Sequence, residues 1–179
     1  LSYVDDGTTP NTMIIFHDYA KAPLLYEVRG LPSKAGNDRM DSFKGASIGI
    51  IIHCEGGYVR VPSYTEAIAF DKEGKETKKF SEGGDHFANF IKAVRSRKHT
   101  DLNADIQEGH LSAALCHTAN ISYRLGTPHS PDEIREAVRN NPEMAEMLGR
   151  LDEHLAANQV DLKKTPATLG EVLKVDVKP

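Results

Sequence analysis

Hydrophobic positions along the chain change their spacing near residue 84. Before this point, short apolar runs rich in β-branched and aromatic residues occur at 13–19, 24–29 and 47–53. Runs of this kind, separated by turn residues, predict β-strands. We therefore predict a β meander over about residues 11–80, in which the first two strands form a hairpin.

After this point the apolar residues recur at the spacing of an α-helix. Phe87, Phe90, Ile91 and Val94 lie at i, i+3, i+4 and i+7, which predicts an amphipathic helix. Capping residues indicate three further helix starts, at Asp105, at Ser130-Pro131 and at Asn141-Pro142.

The order of these elements predicts the fold class. The helical region spans about residues 85–155, and a last alternating run predicts a final strand at about residues 170–177. Strands that precede helices favour an α+β fold with a mostly antiparallel sheet. Because 179 residues suit one domain with a sizeable core, we predict a single domain over residues 1–179.

The composition narrows the classes of partner. The net charge is −4 and the 22 Lys and Arg residues are spread along the chain, so we expect no nucleic-acid partner. No apolar run is long enough for a membrane span, so we expect no membrane partner.

The two cysteines do not indicate a disulfide framework, and both a cytoplasmic and an exported location stay open. The first residue is not Met, which we interpret as a processed chain or a domain of a longer protein.

Sequence motifs of catalysis are missing from the chain. It contains no G-x-G-x-x-G after a strand and no G-x-x-x-x-G-K-[ST], the two common phosphate-binding loops. G-x-S-x-G, H-E-x-x-H and C-x-x-C are missing too, and the eight histidines are scattered. We therefore expect no catalytic, cofactor-binding or metal-binding residues, and no chemistry by this chain alone.

The predicted helix after Asp105 is unusual because residues 109–123 contain no Asp, Glu, Lys or Arg. His110 and His117 share a face but lie roughly 10 Å apart along the axis, which is too far for one metal ion. A helix with a wet face carries charges there, so this helix is expected to be covered on at least two sides. We interpret His110, His117 and Asn120 as satisfied polar groups near a core, with contact to a substrate cleft or a companion domain as the alternative.

Three stretches of the chain carry a resemblance to a known family, namely NTMIIFHDYAKAPLLYEVRGLP (11–32), HCEGGYVRV (53–61) and GGDHFANFIKAVRSRKHTDLNADIQEGHLSAALCHTANISYRLG (83–126). They resemble the C-terminal domain of the Gfo/Idh/MocA family of NAD(P)-dependent oxidoreductases. The nearest likeness is to a bacterial subgroup labelled NADH-dependent dehydrogenases. The resemblance covers most of residues 5–126 and, more weakly, 168–177.

The resemblance implies an open sheet with helices packed on one face, and a homo-oligomer formed through the other face. It implies a parent enzyme that acts on a sugar or related polyol, with NAD or NADP bound by an N-terminal Rossmann domain. That domain and its cofactor site lie outside this chain and would be its missing partner. Tyr26, Val28, Ile50, Ile52, Tyr58 and Val61 are candidates for the two sheet faces, without individual assignment.

Substrate-side residues are expected around the first hairpin, in the polar loop 31–45 and on the central helix. The candidates are His17, Asp18, Arg29, Arg39, Lys44, His110, His117, Asn120 and Arg124. For Arg29 and Arg39 an ordinary surface charge is the alternative.

Two other functions stay open from the sequence. The chain could be a stand-alone, non-catalytic binding or assembly module. It could also belong to an NAD-dependent, redox-assisted glycosidase, since some relatives of the family work in that way. The sequence indicates neither the substrate nor the choice between NAD and NADP.

Overall fold

The computed structural model describes residues 6–176 and has a mixed α+β architecture with antiparallel sheets. The strands are β1 (Thr12–His17), β2 (Leu24–Arg29), β3 (Ile50–Cys54), β4 (Gly57–Ser63), β5 (Glu66–Asp71), β6 (Glu76–Ser81), β7 (Thr127–His129) and β8 (Ala167–Leu169). The helices are α1 (His86–Ser96), α2 (Ile106–Leu125), α3 (Pro131–Val138) and α4 (Pro142–Ala157). The expected α+β class is therefore confirmed.

The described strands form three sheets, with the orders β1-β2, β3-β4-β5-β6 and β7-β8. This corrects the expectation of one open sheet. The long connection 30–49 contains only isolated bridges, at Pro32–Met40 and Phe43–Ala46.

The chain divides into two compact units. One consists of residues up to Asp41 and from Ala113 onward, and the other is Ser42–Ser112. Since residues 1–5 and 177–179 lie outside the described part, the single domain over residues 1–179 stays a prediction.

The discontinuous unit has its core on α4. Leu148, Leu151 and Leu155 repeat at helical spacing and pack with Val138 of α3. Partly buried residues from the hairpin, the loops and the helices α3 and α4 themselves surround this cluster, namely Ile14, Leu31, Ile134, Met144, Val160 and Leu162. The helix starts are those expected from the sequence. Ser130 and Glu133 form a capping box before α3, and Asn141 Oδ1 accepts from Met144 N before α4.

The final strand lies earlier than expected. Residues 170–176 form no strand, β8 is Ala167–Leu169, and Val177 is outside the described residues. The backbone after β8 is instead held by α2. Ser122 Oγ donates to the carbonyl oxygen of Glu171 at 2.8 Å, and Glu171 N donates to the Ser122 carbonyl oxygen at 3.1 Å. These two bonds hold the backbone at Glu171 against α2 instead of in a β-ladder.

In the Ser42–Ser112 unit, the register of the sheet assigns side chains to its two faces. Directly opposite residues share a face, and Ile52 pairs with Val59, which pairs with Ala69. Ile50 pairs with Val61, so these residues form an apolar face. Tyr58 lies on the other face together with His53 and Phe70.

Helices α1 and α2 are less covered than the sequence indicated. In α2 only Ala119 is buried, and Ile106, Leu111, Ile121 and Leu125 are exposed. The expectation that α2 is covered on two sides is wrong for residues 6–176, because these residues place nothing over those positions. The apolar face of α1, with Phe87 and Phe90, is exposed as well, which corrects the expectation of helices packed on a sheet face.

The α4 core predicts a difference between two leucines. Leu155 is 1% exposed and Leu125 is 58% exposed. We expect Leu155→Ala to lower the free energy of unfolding by about 2–5 kcal/mol. Leu125→Ala, the control, is expected to change it by less than about 1 kcal/mol. Urea unfolding followed by circular dichroism measures both, and equal losses would contradict this account of the core.

Candidate functional site

A cluster of five charged or titratable side chains lies in the discontinuous unit. Glu27 and Arg29 come from β2, where residues two apart point to the same face. Arg150 and His154 come from α4, where residues four apart are neighbours on the helix surface. Asp41, at the end of the loop that follows the hairpin, completes the cluster. We call these five residues the His154 cluster.

Glu27 joins two arginines. Its Oε2 accepts from Arg29 Nη2 at 2.6 Å and from Arg29 Nε at 3.1 Å, while its Oε1 accepts from Arg150 Nη2. Arg29 Nη1 also donates to the carbonyl oxygen of Arg150 at 3.5 Å. Both carboxylate oxygens are thus used, and the pairs tie β2 to α4. Arg29 serves this internal network, which argues against a free guanidinium for substrate.

His154 is the buried member of the cluster. Its Nδ1 lies 3.2 Å from Asp41 Oδ2, yet neither ring nitrogen makes a well-oriented hydrogen bond among the described residues. Burial lowers the pKa of the imidazole, and the positive charge of Arg29 acts in the same direction. Asp41 and Glu27 oppose the shift but do not reverse it. The ring is therefore neutral at pH 7, and Asp41 is a neighbour of this ring rather than the partner of an imidazolium.

The His154 cluster suits a structural role better than catalysis. An acid or base catalyst must reach a proton on its substrate, and the His154 ring is closed off from solvent. Residues 6–176 contain no group of three or more His, Cys, Asp or Glu placed to hold a metal ion. What the cluster can do is fix the position of the first hairpin and its following loop on α4.

Lys44 belongs to a second group, on one face of the four-stranded sheet. The turn Phe43–Ala46 gives Lys44 a φ of 49° and Gly45 a φ of 78°, a backbone conformation that favours glycine. Lys44 Nζ lies 4.3 Å from the ring centroid of Tyr58, within the range of a cation–π interaction. The carbonyl oxygen of Lys44 accepts from Arg60 Nη1 at 3.0 Å.

The aromatic rings below Lys44 are stacked. Tyr58 and Phe70 have centroids 4.7 Å apart and an interplanar angle of 12°. The guanidinium carbon of Arg60 lies 5.0 Å from the Phe70 centroid. Lys44 and Arg60 thus cover the ring pair, and the loop is attached to the sheet by these contacts.

The candidates of the first hairpin and its loop do not converge. His17 pairs with Leu24 and Thr12 pairs with Arg29, so His17 and Arg29 stand at opposite ends of the hairpin, roughly 17 Å apart. The His17 ring stacks on Tyr19 with centroids 6.2 Å apart, and Asp18 is exposed. Arg39 is exposed, and its backbone closes the loop by accepting from Ser33 N at 2.8 Å.

The helix candidates differ from their interpretation as satisfied core groups. His110 and His117 are exposed on α2, because no described residue covers that face. Asn120 is partly buried, but its Oδ1 lacks a hydrogen-bond partner within residues 6–176. Arg124 Nη2 donates to Thr8 Oγ1 at 2.8 Å. As substrate-side residues all nine candidates stay predictions.

Four members of the His154 cluster were not among the residues predicted from the sequence, namely Glu27, Asp41, Arg150 and His154. One signal was present for His154, which lies on the apolar side of α4 three residues after Leu151. A histidine in such a stripe indicates a buried imidazole. The other three are ordinary charges in the sequence, and only tertiary packing joins them.

An open groove of about 500 Å³ lies at one end of the four-stranded sheet. Tyr64, Glu66, Lys79 and Phe80 are among its lining residues. Lys79 Nζ lies 2.5 Å from Glu66 Oε2, and this carboxylate raises the pKa of the lysine. Since the ammonium is paired across the strands, the groove presents no free cation from Lys79.

Comparison with known proteins gives no match to a family model, to a curated protein or to a solved structure. Within the described residues, no helix combines the length and apolar character that a bilayer span requires.

The two carboxylates near Arg150 predict unequal contributions to stability. Glu27 is 20% exposed and accepts from two arginines, whereas Glu146 is 69% exposed and lies 3.9 Å from Arg150 Nε. We expect Glu27→Gln to cost about 1–3 kcal/mol of unfolding free energy. The control Glu146→Gln should cost less than about 1 kcal/mol. Chemical denaturation measures both values, and equal costs would show that Glu27 does not hold β2 on α4.

The neutral His154 predicts a pH dependence of stability. Its pKa is lowered from 6.5 in the folded protein, so the unfolded chain binds more protons as the pH falls below 6.5. Stability from this group is therefore complete above pH 6.5 and declines as the pH falls through that value. In His154→Gln, whose side chain does not titrate, the decline between pH 7.5 and 5.5 should be smaller than in the wild type. Unfolding free energies measured across this range would contradict the prediction if both proteins gave parallel curves.

Proposed function

We propose that this chain is the substrate-side and oligomerisation domain of an NAD(P)-dependent oxidoreductase of the Gfo/Idh/MocA type. The parent enzyme would act on a sugar or related polyol, and the chain by itself would not be catalytic. The observation that carries the proposal is the shared order of the motifs in residues 11–32, 53–61 and 83–126.

The mixed α+β architecture supports this proposal in outline. A meander of antiparallel strands, β3 to β6, is followed by α1, a short connection and the long helix α2. This is the order that the resemblance implies for the second and third stretches. The hairpin β1-β2 likewise corresponds to the first stretch.

The apolar face of the four-stranded sheet supports a role in association. Ile50 is 58% exposed and Ile52 is 49% exposed, and Val59, Val61 and Ala69 continue the same face. Contiguous exposed apolar surface of this kind is typical of an interface. In our proposal a second subunit packs on this face, so that the domain forms a homo-oligomer through its sheet.

The uncovered helices support a further partner within the same parent protein. Phe87 and Phe90 on the apolar face of α1 are exposed, and so is Leu111 in the uncharged stretch of α2. In our proposal the missing Rossmann domain covers this surface and brings NAD or NADP to it. On a different face of α2 from Leu111, the exposed ring of His117 and the Oδ1 of Asn120, which lacks a hydrogen-bond partner within residues 6–176, are the groups that meet a polyol substrate in our proposal.

The proposal predicts that the cofactor site lies outside this chain. Calorimetric titration of the purified chain with NADH and NADPH should give no binding in the micromolar range. The matched positive control is the parent protein encoded by the continuous reading frame, which should carry G-x-G-x-x-G after a strand and should bind one of the two cofactors. Micromolar binding by this chain alone, or a reading frame without that motif, would contradict the proposal.

A further inference from the structure

We propose that Thr127 accepts an acyl group from an uncharged, activated ester. In this reaction His129 acts as the general base, and Glu133 positions its imidazole ring. Thr127 and His129 belong to β7, and Glu133 lies in the first turn of α3. Thr127 keeps the acyl group, so the chain is modified once and does not turn over a substrate. The inference concerns a different reaction from hydride transfer and does not depend on the oxidoreductase assignment.

The three side chains form a series of close contacts. Thr127 Oγ1 lies 3.1 Å from His129 Nε2, which is hydrogen-bond distance. On the other side of the ring, His129 Nδ1 lies 3.6 Å from Glu133 Oε2. A hydroxyl, a base within reach of it and a third group that orients the base are the parts of an activated nucleophile, and their distances are often longer before a substrate binds.

The carboxylate of Glu133 determines which ring nitrogen of His129 accepts a proton. A negative charge beside Nδ1 favours a hydrogen on that nitrogen, because it would repel a lone pair there. Nε2 then has the free lone pair and accepts from the Thr127 hydroxyl. Glu133 is ionised at pH 7, since bonds from the hydroxyl and then the N–H of Ser130 lower the pKa of its carboxyl group.

The backbone fixes the nucleophile and the base relative to each other. Residues two apart in a strand point to the same face, which brings the side chains of Thr127 and His129 together. Both residues are held in the antiparallel ladder between β7 and β8. Pro128 between them and Pro131 at the start of α3 have restricted φ angles, so the segment has little freedom to separate the two side chains. All of these residues belong to the discontinuous unit.

The charges around the hydroxyl favour an uncharged donor. Thr127 is exposed, and the carboxylates of Asp132 and Glu133 follow in the first turn of α3. The nearby cation of Arg135 is committed to carboxylates, since it donates to Asp132 at 2.9 Å and to Asp152 at 2.8 Å. A phosphoryl donor carries several negative charges, which the two carboxylates of α3 would repel. A neutral ester meets no such repulsion.

The reaction needs no group beyond these side chains and the ester. Thr127 Oγ1 attacks the carbonyl carbon of the ester while His129 Nε2 takes the hydroxyl proton. A bond forms between Oγ1 and this carbon, and the bond from the carbon to the leaving oxygen breaks. The imidazolium then gives its proton to the leaving oxygen, so that an alcohol departs and His129 is neutral again.

Acetylation by p-nitrophenyl acetate tests the proposal. Samples are quenched with acid at short times, and peptide mass spectrometry quantifies acetyl groups at Thr127 and at Thr165, an exposed reference threonine. We expect Thr127 to react about 100-fold faster than Thr165, and His129→Gln to abolish this difference. Thr127→Val, which has no hydroxyl, controls for the assignment of the label. Equal rates at the two threonines of the wild type, or an unchanged rate in a folded His129→Gln, would overturn the proposal.

The pH profile of the wild type tests the base without any substitution. The rate at Thr127 should rise with pH and then level off, because the supply of neutral imidazole becomes complete. The rate at Thr165 should keep rising in proportion to hydroxide. A Thr127 rate that follows hydroxide as Thr165 does would overturn the role of His129 as the base.

Two further variants separate the positioning role of Glu133 from its role in the capping box. Glu133→Gln keeps the capping box, because Gln also serves at this position, but it removes the charge beside His129 Nδ1. Ser130→Ala removes the capping hydroxyl and keeps the backbone N–H that donates to Glu133 at 2.8 Å. We expect Glu133→Gln to slow acetylation of Thr127 at an unchanged Tm, and Ser130→Ala to lower the Tm at an unchanged rate. An unchanged rate in Glu133→Gln, or a lost rate in folded Ser130→Ala, would overturn the positioning role.

Discussion

Burial of the apolar stripe of α4 is the interaction on which the discontinuous unit depends. Leu148, Leu151 and Leu155 pack with Val138 of α3. Ile14 of β1 and Leu31, which lies in the loop after β2, pack against the same cluster. The same turns of α4 carry Arg150 and His154. Their meeting with Glu27 and Asp41 therefore follows from the packing of the leucines, and the ion pair between Glu27 and Arg150 refines a position that apolar burial has selected.

The four-stranded sheet is governed by a different constraint, the period of two along each strand. It separates the stacked rings of Tyr58 and Phe70, covered by Lys44 and Arg60, from the apolar face that carries Ile50 and Ile52. One face is thus partly covered by the loop that carries Lys44, whereas Ile50 and Ile52 on the other face are exposed. This exposed apolar surface is the feature on which the proposed role in association rests.

The His154 cluster shows that a charged group in a domain of this kind need not be a functional site. Arg29 lies in the hairpin where a substrate-side residue was expected, but its guanidinium bonds to Glu27 and to the Arg150 carbonyl oxygen. His154 is neutral because burial outweighs the nearby carboxylates. Groups that are committed to neighbours in this way stabilise the fold. The exposed His110 and His117 of α2 are not buried among neighbours in this way.

The local elements follow from the amino-acid sequence, because their signals lie within a few residues of each other. The hairpin of β1 and β2, the caps of α3 and α4 and the end of α2 before Gly126 all lie where spacing and capping residues indicate. Tertiary structure alone decided how the strands divide into three sheets, which residues surround His154 and how little of α2 is covered. These depend on contacts between residues far apart in the chain, as between Glu27 and Arg150, and no periodicity records them. The uncharged stretch of α2 predicted burial that residues 6–176 do not supply, since composition carries no information on which segment packs where.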